Sequence, residues 1–142
     1  MLKLRKNKKG FTLVELIVVI AIMAVLAGTI AGVTVSQLNK QTDRSGDTQA
    51  KLIADYVVQE LGANRDNVLD ETGTTAKFKS DIKTTIETNM KNDKIPFGDG
   101  KGKINVTVAD ASVTIVYKGK ASGAKNITYV VDTEGKITRT EA

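Results

Sequence analysis

Lys8-Lys9-Gly10-Phe11-Thr12-Leu13-Val14-Glu15-Leu16 marks the point where a lysine-rich start gives way, with no spacer, to an apolar run carrying one acid. From Leu16 to Val35 there are twenty residues without a charge. As a helix rising about 1.5 Å per residue they extend about 30 Å, the thickness of a bilayer core. Upstream, residues 1–10 hold Lys3, Arg5, Lys6, Lys8 and Lys9 and no acid. The positive-inside bias therefore keeps this end cytoplasmic and sends the rest of the chain outward. Glu15 stands at the cytoplasmic end of the span, where an unpaired carboxylate is costly to bring into lipid. It needs a partner.

This junction resembles the processing site of type IV prepilins and the related pseudopilins. The resemblance is specific over residues 6–36 and only architectural beyond them. It implies that a prepilin peptidase, which is also the methyltransferase, cuts between Gly10 and Phe11 and methylates the new amino terminus at Phe11. The freed amine, with a pKa of about 7.7–8 before methylation, supplies the partner: Glu15 of one subunit neutralises the Phe11 amine of a neighbour as a filament grows. The implied precursor is a single-pass membrane protein with a cytoplasmic amino terminus. The implied product is an extracellular type IV pilus fibre serving adhesion, motility or biofilm formation, a homo-polymer built by an inner-membrane platform and an assembly ATPase. Two alternatives stay open, a pseudopilin of a type II secretion or competence system and a membrane-anchored binding domain that never polymerises. An ordinary signal peptide competes as well, because Val25-Leu26-Ala27 before Gly28 has the small-residue pattern of a signal-peptidase site. Against that, the apolar run continues past Ala27 and begins beside an acid.

A cut after Gly10 changes what the composition means. Of 21 basic residues five lie in the leader, which leaves 16 against 16 acids. The mature chain is formally neutral, so the basic whole-chain charge of +5 is no argument for nucleic-acid binding. Three domains follow: a leader at 1–10, a hydrophobic membrane and filament-core helix at 11–36, and a head at 37–142 that includes the rest of the long helix. With no cysteine, the head is held by its core rather than by disulfides. Many Gram-negative type IV pilins close their C-terminal region with a disulfide, so by analogy this departure favours a Gram-positive, clostridial-like member.

The pattern past the membrane predicts an α+β head, a long helix laid on a small antiparallel sheet, which is also what the resemblance implies. Between Ser36 and Gly62 there is no proline, and Leu38, Thr42, Gly46, Ala50, Ile53, Val57 and Leu61 recur at threes and fours. That stripe should carry the head, with Ala54 and Val58 widening it and Lys51, Asp55 and Glu60 facing away. From Phe11 to Leu61 the helix would run about 77 Å if unbroken. Gly28 and Gly32 are its weak points, each costing about 1 kcal/mol relative to alanine, and by resemblance they mark a stretch that melts on assembly; close packing between membrane helices accounts for them equally well. Residues 62–74 read as a loop. A second helix is predicted over 75–91, capped by Thr75, with Phe78, Ile82, Ile86 and Met90 as its apolar stripe. Strands at 103–109, 112–118, 127–132 and 135–140 follow from period-two alternation, with a tight turn at Asp132-Thr133-Glu134-Gly135.

Catalytic constellations are missing. The chain has no histidine and no cysteine, which removes thiol nucleophiles, the commonest general base and the usual zinc ligands. No cofactor or metal is expected, and the acids at Asp66, Asp70, Glu71, Asp93 and Asp99 read as solvated loop residues rather than a calcium site. Asn105-Val106-Thr107 and Asn126-Ile127-Thr128 match the glycosylation triplet, but strand patterning produces it by chance. Aromatics are few, and Phe78, Tyr117 and Tyr129 fall on core faces, so direct nucleic-acid binding is not supported. One charge asymmetry remains. Residues 43–71 hold seven acids against Arg44, Lys51 and Arg65, while residues 94–125 hold six lysines against Asp99 and Asp110. Lys118, Lys120 and Lys125 therefore form a candidate basic face toward a neighbouring subunit.

Overall fold

The structure, a computed structural model, describes residues 10–142. The leader lysines and arginine at positions 3–9 lie outside the described residues. The chain divides into two units, one ending at Gln37 and the other running from Leu38 to Ala142.

In the first unit, helix α1 (Leu13–Ala63) begins two residues after Phe11. β-Branched and leucine side chains cover every face of this part, and none is buried: Leu16, Ile20, Ile30 and Val35 are all exposed. A helix apolar all round is built for lipid or for a bundle of its own kind. Gly28 and Gly32 sit inside it with open space where a Cβ would be.

The second unit is folded around the remainder of α1. Its buried positions, Gly46, Ala50, Ile53, Ala54, Val57 and Leu61, fall on one stripe. Small residues at 46, 50 and 54 let the sheet approach the helix closely, and Ile53, Val57 and Leu61 fill the space beyond. After α1 come α2 (Arg65–Val68), β1 (Leu69–Asp70), β2 (Lys77–Phe78) and α3 (Asp81–Asn92). The main sheet is an antiparallel meander of β3 (Ile104–Ala109), β4 (Ser112–Tyr117), β5 (Ile127–Asp132) and β6 (Ile137–Glu141), in that spatial order. In register, Val106 faces Ile115 and Ile115 faces Tyr129, so the inward residues of three strands stack in rows. Ile82, Ile86 and Met90 of α3 close the same core.

Several expectations need correction. Residues 62–74 are not a plain loop: α1 continues to Ala63, and Val68 and Leu69 are buried, because two adjacent apolar residues among polar ones still seek the core. Leu69 pairs with Phe78 and Asp70 with Lys77 in a two-stranded ribbon. The second helix accordingly starts at Asp81 instead of 75, and Phe78 reaches the core from β2 instead of from a helix face. Thr75 caps nothing; Ser80 takes the cap position without a side-chain cap bond. Leu38, placed on the head-bearing stripe, is 56% exposed. The last strand begins at Ile137, since Gly135 at φ +84° ends the turn in which the Asp132 carboxylate accepts from the amides of Glu134 (3.0 Å) and Lys136 (2.8 Å).

Candidate functional site

The junction that the sequence singles out opens α1. Gly10 and Phe11 precede the helix, and Phe11 is 93% exposed, so the bond between them is sterically open. Thr12 is the N-cap and Glu15 the third residue of the first turn. The Glu15 carboxylate accepts from the Thr12 amide at 2.8 Å and from the Thr12 hydroxyl at 3.0 Å, while the Thr12 hydroxyl accepts from the Glu15 amide at 3.3 Å. This is a reciprocal capping box, which satisfies amides that the first turn otherwise leaves open. Threonine followed three residues on by glutamate is a legible signature of a helix start, and it was available in the sequence. Glu15 thus has a partner on its own helix in the single subunit.

A second constellation fastens α1 to the sheet, and sequence patterning missed it. Asp43 and Asp47 flank Gly46 on the edge of the buried stripe. The Asp43 carboxylate accepts from the Tyr117 hydroxyl (2.8 Å) and from the backbone amides of Lys120 (2.6 Å) and Ala121 (2.9 Å). It therefore fixes the connection between β4 and β5. Asp47 accepts from the Tyr129 hydroxyl (2.6 Å) and from Arg139 (3.1 Å). Burial works to raise both carboxyl pKa values, but the amides, tyrosine hydroxyls and neighbouring cations outweigh it and hold both below the usual range. Burial, and then the adjacent carboxylates, push the Tyr117 and Tyr129 hydroxyls up.

A pH dependence follows. Carboxylates with folded pKa values below their free value near 3.9 contribute stability that is full above about pH 4 and lost as pH falls through the folded values. The urea midpoint of the head is expected to drop as pH is lowered from 5 to about 2.5, and Asp43→Asn combined with Asp47→Asn should flatten that slope. An unchanged slope in the double variant would remove these two acids as its origin.

The three lysines of the candidate basic face lie at one end of the main sheet. Lys118 is paired with Asp99 at 3.1 Å, while Lys120 and Lys125 are exposed. Of the acids set against them, Asp43 and Asp47 are turned inward and Glu71 pairs with Arg65 at 2.6 Å. The triplet asparagines are engaged too: Asn105 donates to Asp99 (2.8 Å), and the Asn126 side chain accepts from the Gly119 amide (3.3 Å). Among the described residues no group of three acids is placed to share a metal ion.

The chain matches the model of the prokaryotic N-terminal methylation motif over residues 5–31, the signature of type IV prepilins. The match spans Gly10, Phe11 and Glu15 and stops short of the head. No curated protein and no solved structure matches the chain.

Proposed function

We propose that this protein is a pilin: a structural subunit, not an enzyme, held in the membrane as a precursor and polymerised into a type IV pilus. The observation that carries the reading is the coincidence, at one point of the chain, of the methylation motif, an open Gly10–Phe11 bond and a capped helix whose apolar surface is wholly unburied. Such a helix is insoluble alone. Lipid covers it in the precursor, and neighbouring copies cover it in a fibre. Contacts between unlike faces build a helical filament when the rotation from copy to copy does not close into a ring. Cleavage at Gly10 then removes the cytoplasmic charges that anchor the amino terminus and exposes the Phe11 amine to Glu15 of the next subunit.

The test is direct. Intact mass and N-terminal sequencing of a fraction sheared from cells should give a subunit beginning at N-methyl-Phe11, and replacing Gly10 with a bulky residue should abolish processing. A mature start at Gly28 would return the segment to an ordinary signal peptide. A mature start at Phe11 without any shearable fibre would favour a pseudopilin.

A further inference from the structure

We infer that the end of the head formed by the 98–103 and 118–126 loops docks on anionic phospholipid headgroups while the subunit is anchored in the membrane. The inference rests on the membrane-anchored precursor proposed above. The strand order brings the start of β3, the end of β4 and the start of β5 together at one end of the sheet. The residues of α1 that meet this end are its earliest in the head: Tyr117 donates to the Thr42 carbonyl (3.3 Å), and Asp43 binds the Lys120 and Ala121 amides. Lys101, Lys103, Lys120 and Lys125 project from the loops, with Lys40 and Arg44 on the adjoining turns of α1, and all six are exposed. Among the described residues none of the six forms an ion pair.

The acids near this end have other work. Asp43 faces backbone amides, Asp47 is bound by Tyr129 and Arg139, Asp99 holds Lys118 and Asn105, and Glu141 lies 3.5 Å from Arg139. The opposite end of the sheet mixes Asp66, Asp70, Asp110 and Glu134 with Arg65, Lys77, Lys79 and Lys136, and Asp110 is paired with Lys77 at 2.9 Å. The six exposed cations that form no ion pair among the described residues gather at the end that is nearest in sequence to the membrane span. Lys40 follows Val35, the last residue of the apolar run, by five positions, so even a fully extended chain keeps it within about 18 Å of that point. That bound holds whatever angle the two units adopt. Each lysine or arginine near an anionic membrane surface contributes about a fivefold bias toward it. Exposed acids of a second copy, such as Asp66, Asp70 and Glu134, can also answer these lysines. What favours lipid is the short tether of Lys40 to the membrane span, and a second copy is one of the outcomes that the test distinguishes.

The full-length chain, reconstituted in phosphatidylcholine vesicles and in vesicles containing about a third phosphatidylglycerol, provides the test. A membrane-impermeant amine-reactive ester reports on outward-facing heads by peptide mass spectrometry. Acylation of Lys101, Lys103, Lys120 and Lys125 should slow several-fold in the anionic vesicles and recover in about 0.5 M salt, while Lys77 and Lys136 at the far end stay unchanged. Lys120→Glu with Lys125→Glu should abolish the slowing at Lys101 and Lys103 without moving the urea midpoint. Equal rates in both lipids overturn the inference. So does protection in phosphatidylcholine that grows with subunit density, which assigns the surface to a second copy, or that appears on adding inorganic phosphate, which assigns it to a free anion. No assembly machinery is present in the vesicles, so these outcomes bear on docking alone, whereas an unprocessed leader bears on the pilin reading alone.

Discussion

Gly46→Ala is expected to destabilise the head by about 3 kcal/mol, the upper part of the range for overpacking a close-packed core. An alanine Cβ built at this position lies 2.1 Å from Cε2 of Tyr117, and two further ring atoms stand within 2.5 Å. Neither side can give easily. The helix backbone is held by its own ladder, and the Tyr117 ring is 1% exposed, with its hydroxyl tied to Asp43 and the Thr42 carbonyl. Relief would require the helix to lift off the sheet along the stripe of Ala50 and Ala54, which opens voids across the core. The measurement is a urea titration of the full chain in detergent followed by tyrosine fluorescence, since all three tyrosines belong to the head. Gly62→Ala is the control: it lies in the same helix with nothing within 4 Å of its Cβ, and it should be neutral or stabilising by about 0.5–1 kcal/mol from backbone entropy. Trimming the ring should rescue the damage, so that Gly46→Ala with Tyr117→Val costs less than the two singles added together. If Gly46→Ala leaves the urea midpoint where Gly62→Ala leaves it, the close approach is not what holds the helix to the sheet.

The parts of this fold that could be read from sequence are those with a repeating period. Alternation in Ile104–Val108, Val113–Tyr117 and Ile127–Val131 located three strands because each has one face on the core, and a period of two then has no other explanation. The two-residue ribbon of Leu69–Asp70 with Lys77–Phe78 has no period to detect. It forms because Val68, Leu69 and Phe78 are drawn under the same core, a tertiary cause that local patterning does not record. Missing it displaced the start of the following helix by six residues. Leu38 misled for a related reason: its helical spacing continues the head-bearing stripe one turn beyond the point where the sheet covers it, and periodicity alone does not mark where cover ends. The inward acids were hidden because the charge balance counts Asp43 and Asp47 only among the seven acids of residues 43–71 set against the basic interval. Their positions on either side of Gly46, within one turn of the small-residue stripe, were the available clue, since a carboxylate there faces the same sheet as the stripe. Around Gly10, Phe11 and Glu15 the charge step and the span were read from the sequence because they are properties of consecutive residues, whereas the Thr12–Glu15 cap, equally local, was not.

Glu15→Val is expected to leave cleavage after Gly10 intact and to reduce fibre yield by about tenfold or more, the scale of losing a paired charge inside an apolar bundle. The capping box sharpens this experiment, because it gives Glu15 two separable duties. In the single subunit the carboxylate satisfies the Thr12 amide and hydroxyl. In the proposed fibre it must answer a charged amine on another chain, and an amide side chain distinguishes the two. Glutamine is as competent as glutamate at the third position of a capping box, but it carries no charge to set against the Phe11 amine. Thr12→Val is the reverse case: it deletes the hydroxyl that both donates to and accepts from Glu15 while leaving the carboxylate in place. If pairing dominates, Glu15→Gln assembles as poorly as Glu15→Val, and Thr12→Val assembles far better than either. If capping dominates, Glu15→Gln restores the fibre and Thr12→Val does not. The charge role would be excluded by normal yield from Glu15→Gln in a sheared fraction quantified against cell-associated subunit. The two duties are also compatible in one side chain. Both bonds that Thr12 donates fall on Oε2 of Glu15, which leaves Oε1 to accept from a neighbour's amine. A carboxylate already capped by its own helix therefore loses little by waiting in the membrane, and only a cleaved subunit offers the Phe11 amine that answers it.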